Sequence, residues 1–369
     1  MHRKLLFIAF VLMFVVASSI TGCGTAEDAA PDTDDVVSVD DPQADLPEVT
    51  MTIGHTNPAD PTQHVHAGAL AFKDYVERES QGKITVTIVP AGGLGDSASL
   101  QEQVMLGEIE GVSDQTEGAL SIVYPNIQVL AIPYLFDYVD QALEVFRGEF
   151  GEKLYEDCRQ KTGMRTIAVW DNGGFRCFTN SIRPIRNPDD MDGLMMRTME
   201  IPAHMEMVSA LGANPVPVPW GELYSALETG VVDGQENAIP TIIMGSVYEV
   251  QDYLVLDNHV YSQEHFMIND AWFSDLPQLY QDIILRGGEK AEQAGARATR
   301  VQREVGLELL GRHMEIYNPT AEEIALFREA TQEPVIEYIR ASIDNPELVD
   351  EILQAAQEAL ERMGYTQYR

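Results

Sequence analysis

The chain has 369 residues, with 24 Lys plus Arg against 59 Asp plus Glu and a formal charge of −35. Such a chain would repel a polyphosphate before contact, so nucleic acid is excluded as a partner. Apolar residues make up 45% and charged residues 22%, the balance of a packed globular protein long enough for roughly two domains of ~150 residues.

His2, Arg3 and Lys4 precede an unbroken apolar run from Leu5 to Ala17. A helix over that run would be ~20 Å long, short of the ~30 Å hydrocarbon core of a bilayer, which predicts an export signal over residues 1–22. Ile20-Thr21-Gly22-Cys23 resembles a bacterial lipobox, so Cys23 is expected to be acylated as the mature N-terminus. Losing Arg3 and Lys4 with the signal takes the mature charge to −37. Residues 24–48 hold nine acids, no Lys or Arg, and no helical or strand period. With Cys23 they are expected to form an acidic tether spanning ~28 Å, enough to hold a folded body off a membrane.

The body begins with a strand over Val49–Gly54. Val65, Ala69, Phe72 and Val76 recur at helical spacing, and Ile84, Val86 and Ile88 then alternate with polar residues as in a strand. Gly92, Gly93 and Gly95 lack the Lys of a phosphate loop and read as a turn. Phe146, Phe150, Leu154 and Cys158 make one helical stripe, and residues 166–170 read as a strand. Met205, Val208 and Leu211 mark another helix, Trp220 to Leu227 the next, and Val231-Val232 a returning strand. Ala294, Ala298, Val301, Val305 and Leu309 predict one apolar face on a helix from Glu289 to Arg312, ~36 Å long. Two more helices fit 321–339 and 346–363. Strand and helix alternate from the start, which predicts an α/β body. Cys158 and Cys177 allow either a disulfide, given export, or two buried thiols.

Few residues point to chemistry. His64 and His66 lie i,i+2 at a helix start and lack the further ligands zinc requires, so no metal is assigned. Asp233 and Glu236 are a possible acid/base pair for glycan chemistry, but nucleophile motifs are missing. Arg176 and Arg197 stand out by position. Each lies at or just after a strand, where α/β proteins place their ligand crevice, and a guanidinium there offers a planar fork to a carboxylate or sulfonate.

Several segments, in order, resemble the DctP family, the extracytoplasmic solute-binding proteins of TRAP (tripartite ATP-independent periplasmic) transporters. They include Pro90-Ala91-Gly92-Gly93-Leu94-Gly95, Pro133-Tyr134-Leu135-Phe136, Gly174-Phe175-Arg176 and the run from Pro188 to Arg197. Leu211 to Pro215, Pro219 to Tyr224, Asp233 to Asn237 and Tyr248 to Gln251 complete the set. The resemblance implies a two-domain periplasmic-binding-protein-like fold with hinge strands and a long domain-bridging helix. One domain would comprise 49–173 plus 263–302, the other 174–262 plus 303–369.

It also implies a function. A receptor without turnover, cofactor or metal would capture a small organic anion, a carboxylate first, between its domains. It would hand the solute to one small and one large TRAP membrane subunit. By the same resemblance Arg197 matches the principal carboxylate-binding arginine, Arg176 a second cationic contact and Asn237 a supporting amide. Trp220 falls on an aromatic pocket position, and His55 and Thr116 are looser candidates on loops after early strands. Trp220 and Trp170 together hint at a partly apolar ligand. The alternatives are a sulfonate, amino acid or other zwitterion on the same fold, an anchored glycan-acting enzyme using Asp233 and Glu236, or a sensory module without transport.

Overall fold

The structure, a computed structural model, describes residues 45–364. The export signal, Cys23 and the tether up to residue 44 lie outside the described residues. Ten strands form one sheet: β1 (Val49–Gly54), β2 (Ile84–Val89), β3 (Gly111–Gln115), β4 (Met164–Asn180), β5 (Met195–Thr198), β6 (Asn214–Pro217), β7 (Gly234–Ala238), β8 (Tyr253–Val255), β9 (Val260–Asn269) and β10 (Glu315–Tyr317). Their order is β2-β1-β3-β9-β4-β7-β5-β6, with β8 on β4 and β10 on β8.

Pairing divides the sheet into two parallel wings and an antiparallel centre. β1 pairs β2 and β3 in parallel, with Val49 opposite Ile84. β5 pairs β6 and β7 in parallel, with Arg197 opposite Val216 and Gln235. Between the wings, β4 and β9 run antiparallel, and the register shifts between Asp171 and Gly174. Gly173 and Gly174 there have φ of 88° and 95°, a left-handed backbone that favours glycine. A β-carbon on Gly173 would also stand 2.6 Å from the Ala238 β-carbon.

The amphipathic segments fold as their periods dictate. Val65, Ala69, Phe72 and Val76 are fully buried on helix His64–Glu79, and Ile84 and Val86 are fully buried on β2. Each of the larger side chains, the valines, Phe72 and Ile84, contributes ~1.5–3 kcal/mol of burial. The late helices occupy Ala321–Ser342 and Glu347–Arg362, and the Gly92–Gly95 segment is a turn. Cys158 and Cys177 are buried free thiols in separate clusters of the core.

Four details differ from the periodicity reading. The stripe Phe146–Cys158 spans two helices, Val139–Arg147 and Glu149–Thr162, because Gly148 is extended at φ −91°, ψ −171°. The segment Trp220–Leu227 begins as a 3-10 turn, Trp220–Glu222, before helix Leu223–Glu228. Val231 and Val232 precede rather than form a strand; β7 starts at Gly234, and Val231 is 59% exposed. The long helix runs further, Gln278–Leu310, ~50 Å, and buries a different face.

That face is made of small residues: Gly287, Gly288, Ala291, Gly295 and Thr299 are buried, while Val301 and Val305 are 52% and 62% exposed. The helix approaches helix His64–Glu79 and β4 too closely for larger side chains. A β-carbon on Gly288 would stand 2.3 Å from the Ile167 carbonyl oxygen, and one on Gly295 2.7 Å from Trp170 Nε1. Close approach therefore outranks apolarity in choosing the buried side.

Gly288→Ala tests this. Helix propensity alone favours alanine by ~1 kcal/mol, whereas overpacking costs ~1–3 kcal/mol or more. A lower thermal midpoint is expected; an unchanged or raised one would show that the helix is not held this close.

Candidate functional site

A cavity of about 70 Å³ forms where the C-terminal ends of both parallel wings meet, the crevice position of open α/β sheets. Thr56 and Asn57 follow β1, Asp114 ends in β3, and Thr116 follows it. From the other wing come Arg197 on β5, Trp220 on its 3-10 turn and Asn237 on β7. Asn172 on β4 and Glu264 on β9 supply the central strands. A larger groove of about 670 Å³ runs between helices His64–Glu79 and Gln278–Leu310. It is an open surface, and no charged residue lining it is buried.

The cavity thus gathers four of the six expected residues: Arg197, Asn237, Trp220 and Thr116. Arg197 is 2% exposed and donates from Nε to the Val218 carbonyl at 2.8 Å. That bond fixes the guanidinium and leaves its outer nitrogens available. Burial, with Arg176 nearby, pulls its pKa down to about 10 against the raising effect of Glu236, so it stays charged at neutral pH. Asn237 donates from Nδ2 to Gln235 Oε1 at 2.6 Å. Thr116 caps the short helix Glu117–Leu120, accepting from the Ala119 amide at 3.4 Å.

Arg176 and His55 do not line it. Arg176 lies within β4, not after a strand, and is sealed against Glu236 of the paired β7. Its Nη2 donates to Glu236 Oε1 at 2.9 Å and to the Glu236 carbonyl at 2.6 Å, and its Nε also meets the carboxylate. Arg176 is therefore compensated within the protein, contrary to the expectation of a second cation awaiting a ligand. His55 is fully buried with Nε2 3.0 Å from His66 Nδ1, and burial with His66 pulls its pKa down to about 4. Its neighbour Thr56 lines the cavity in its place. Trp170 is also absent from the lining; it is fully buried under the long helix.

The carboxyl groups form the part that sequence reasoning missed. Asp114 accepts from the Thr56 amide at 2.5 Å and its hydroxyl at 2.6 Å, while its Oδ1 has no protein partner. Glu117, just behind, accepts from Ser262 Oγ at 2.9 Å. Burial raises the pKa of Asp114, Glu117 and Glu264, and the charges of the first two push Glu264 higher still. Glu236 behaves oppositely. Burial works to raise it, but Arg176, His204 and His259 prevail and hold it well below the usual range. Asp233 accepts from the Met195 amide at 2.8 Å. Neither Asp233 nor Glu236 lines the cavity, so the glycan-acting pair is not assembled. Among the described residues no group of three or more His, Cys, Asp and Glu could hold a metal.

The pair continues outward through His259. Its Nδ1 is 2.7 Å from Asp257 Oδ2, its Nε2 3.3 Å from Glu236, and its ring stacks on Phe178 at 4.2 Å. Burial opposes the imidazolium, yet Asp257 and Glu236 raise its pKa to about 9. The folded value exceeds the ~6.5 of an unfolded histidine, so this stabilisation is complete below ~pH 6.5 and is lost as pH rises through about 9. Denaturant titrations should show stability falling across that window by on the order of a few kcal/mol. His259→Gln should flatten the slope; an unchanged slope would assign it to another group.

Comparisons with known proteins identify the family. The family model for bacterial extracellular solute-binding proteins, family 7 (DctP), matches residues 53–341. The sialic acid-binding periplasmic protein SiaP of Vibrio cholerae is 28% identical over 278 residues, 75% of this chain and 85% of that protein. The sugar acid binding protein DctPAm of Advenella mimigardefordensis, solved with galactonate, superposes with a TM-score of 0.80 at 32% identity over 85% of this chain and all of that one. A TRAP periplasmic solute binding protein of Polaromonas, bound to D-erythronate, gives 0.77 at 30% identity over 84% and 98%. The chain belongs to the DctP family of extracytoplasmic TRAP solute-binding proteins, which are receptors of transporters and not enzymes.

Proposed function

We propose that the cavity takes a small organic anion, a carboxylate first, with Arg197 as its principal contact. The observation that carries this reading is a buried guanidinium at a strand end, tied through Nε to the Val218 carbonyl and lining a cavity in which it is the one cationic side chain among the lining residues. An anion there gains charge-assisted, fork-shaped hydrogen bonds away from bulk water. Asn237 and Thr116 supply neutral polar contacts, and Trp220 an aromatic wall. Arg176 acts from behind, its positive charge cancelled by Glu236. The relatives' printed ligands, sialic acid, galactonate and erythronate, all carry a carboxylate and support the same reading.

The solute would be enclosed between two lobes, 49–173 plus 263–302 and 174–262 plus 303–369, with β4 and β9 as the hinge. The irregular register at Asp171–Gly174 provides a bending point in β4. Helix Val139–Arg147 packs on Glu347–Arg362, with Gln141 Nε2 donating to the Ala356 carbonyl at 2.8 Å. This contact joins a segment of the first proposed lobe to a segment of the second. Closure around the anion would present a new surface to the small and large membrane subunits. Acylation at Cys23, followed by the acidic tether, would keep the receptor at the membrane face.

Two measurements check these assignments. Arg197→Lys, which replaces the fork by a point charge, should weaken binding of the cognate organic acid more than tenfold, or ~1.4 kcal/mol, in calorimetry. Unchanged affinity would remove Arg197 from the site. Cys23→Ser should shift the protein from the membrane fraction to the soluble extracytoplasmic fraction; retention in the membrane would refute the anchor.

A further inference from the structure

We propose that the receptor takes up a proton when it captures its anion: the proton comes from solvent and settles on a carboxyl oxygen of Asp114 or Glu264 in the cavity wall. Such coupling rests on the organic-anion reading above and deepens it, since it decides what happens to the charge that enters.

The first support is the balance of charge around the cavity. Its ionisable lining is one cation, Arg197, and two acids, Asp114 and Glu264. A volume of about 70 Å³ holds only about five waters, so an anion that enters lies close to all three. Arg197 can balance one negative charge. With both acids ionised, an incoming carboxylate would make three anions against one guanidinium in a water-poor space, where repulsion is weakly screened. A proton on either acid removes one of the three.

Neighbouring groups do not supply the missing positive charge. His64, on helix His64–Glu79, comes within 3.7 Å of Glu264, but burial pulls its pKa down to about 4 and leaves it neutral at pH 7. Its Nε2 lies 3.3 Å from Asn172 Oδ1 while Nδ1 has no partner, the pattern of a neutral ring protonated on Nε2. His55 on β1 meets His66 of the same helix at 3.0 Å, and burial lowers both. On β9, burial lowers His265 to about 3. Arg176 on β4 is paired with Glu236 of β7, which His204 also faces at 3.5 Å, and Arg303 of the long helix is paired with Asp171. Helix Ser97–Leu106 carries one acid, Glu102, which is exposed, and helix Glu117–Leu120 adds the fully buried Glu117. Asp96 and Glu200 line an adjoining chamber of about 320 Å³ that shares Thr56, Ser97 and Trp220 with the cavity.

The second support is a place for the proton. The Thr56 amide and hydroxyl both donate to Asp114 Oδ2, at 2.5 and 2.6 Å, whereas Oδ1 is buried with no protein partner. Among the described residues Glu264 has His64 as its one ion-pair contact. An oxygen protonated at either acid turns from acceptor to donor, which suits an anion beside it. Burial already biases both acids toward the protonated form, against the Thr56 bonds at Asp114, and the charges of Asp114 and Glu117 push Glu264 further. An anion in the same small cavity acts in the same direction and raises a carboxyl's affinity for a proton roughly tenfold or more.

The test counts protons. Galactonate, D-erythronate, pantoate and sialic acid are screened by thermal melting of the purified protein. The acid that stabilises it most is then titrated into unbuffered protein between pH 6.5 and 8.5, with the pH held constant by added acid or base. At some pH in that range saturation should consume about 0.3–1 proton per molecule, and there affinity should fall as pH rises, by up to about tenfold per pH unit. The ligand carboxyl, with a pKa of ~4 or below, and Arg197, at about 10, stay charged throughout. Asp114→Asn and Glu264→Gln, neutral isosteres of the protonated acids, should cut the uptake by at least half, singly or combined, in protein whose thermal melt shows that it folds. Uptake below about 0.3 proton at every pH, proton release, undiminished uptake in the folded variants, or loss of binding in both folded single variants overturns the proposal while leaving the organic-anion reading intact. Failure of all four acids to bind the folded wild type overturns both.

Discussion

The centre of this molecule depends on one guanidinium–carboxylate pair, Arg176 with Glu236, sealed from water where β4 pairs with β7. Two charges in such a place carry a desolvation cost of several kcal/mol each, offset only when geometry is good and the other polar atoms are bonded. Glu236 has those bonds: Arg176 on one side, His259 and its Asp257 on the other. The pair therefore fixes the β4–β7 register and at the same time cancels the cation nearest the cavity. What is left facing the cavity is Arg197 alone, whose fixed Nε bond orients the rest of its fork. Had Glu236 been absent, two guanidiniums would have repelled each other in a low-dielectric core.

This arrangement explains how a chain of formal charge −35 can receive an anion. Net charge describes the solvated exterior, where ion pairs such as Arg78 with Asp74 and Arg312 with Glu308 contribute ~0–1 kcal/mol each. Over a Debye length of ~8 Å in physiological salt, that exterior charge is screened. Inside the cavity the distances are short and water is scarce, so a single guanidinium outweighs many distant carboxylates. The acids in the lining, Asp114 and Glu264, are pushed by burial toward neutrality and oppose an incoming carboxylate less than their number implies.

The two parallel wings and the antiparallel centre divide the work. Wings place strand ends, and with them short loops such as Thr56-Asn57, at a common crevice. The centre, β4 and β9, crosses between them and carries the irregularity at Gly173-Gly174, where the chain adopts a backbone that favours glycine. The long helix lies against β4 through glycine contacts at Gly288 and Gly295. The proposed enclosure of a solute would bend the chain at this irregular crossing while the wings keep their packing.

Elements with an unmistakable period were legible in the sequence: helix His64–Glu79, strand β2 and the two late helices follow directly from where their apolar residues recur. The family motifs and Arg197 were legible too, because an arginine closing a short apolar strand is unusual in so acidic a chain. By contrast β3, β7 and β9 are buried throughout yet read Gly-Val-Ser-Asp-Gln, Gly-Gln-Glu-Asn-Ala and Val-Tyr-Ser-Gln-Glu-His-Phe-Met-Ile-Asn. Polar side chains inside both layers erase the alternation that marks a strand, and with it the sign that Asp114 and Glu264 face the cavity. The buried side of the long helix was also hidden, since glycine is selected there by distance rather than by apolarity. The sequence by itself thus determined the α/β class, the family and the presence of a buried arginine at a strand end. Only the tertiary structure decided which of two arginines lines the cavity and which is paired with a carboxylate, because that depends on the acid that the β4–β7 pairing brings to within hydrogen-bond distance.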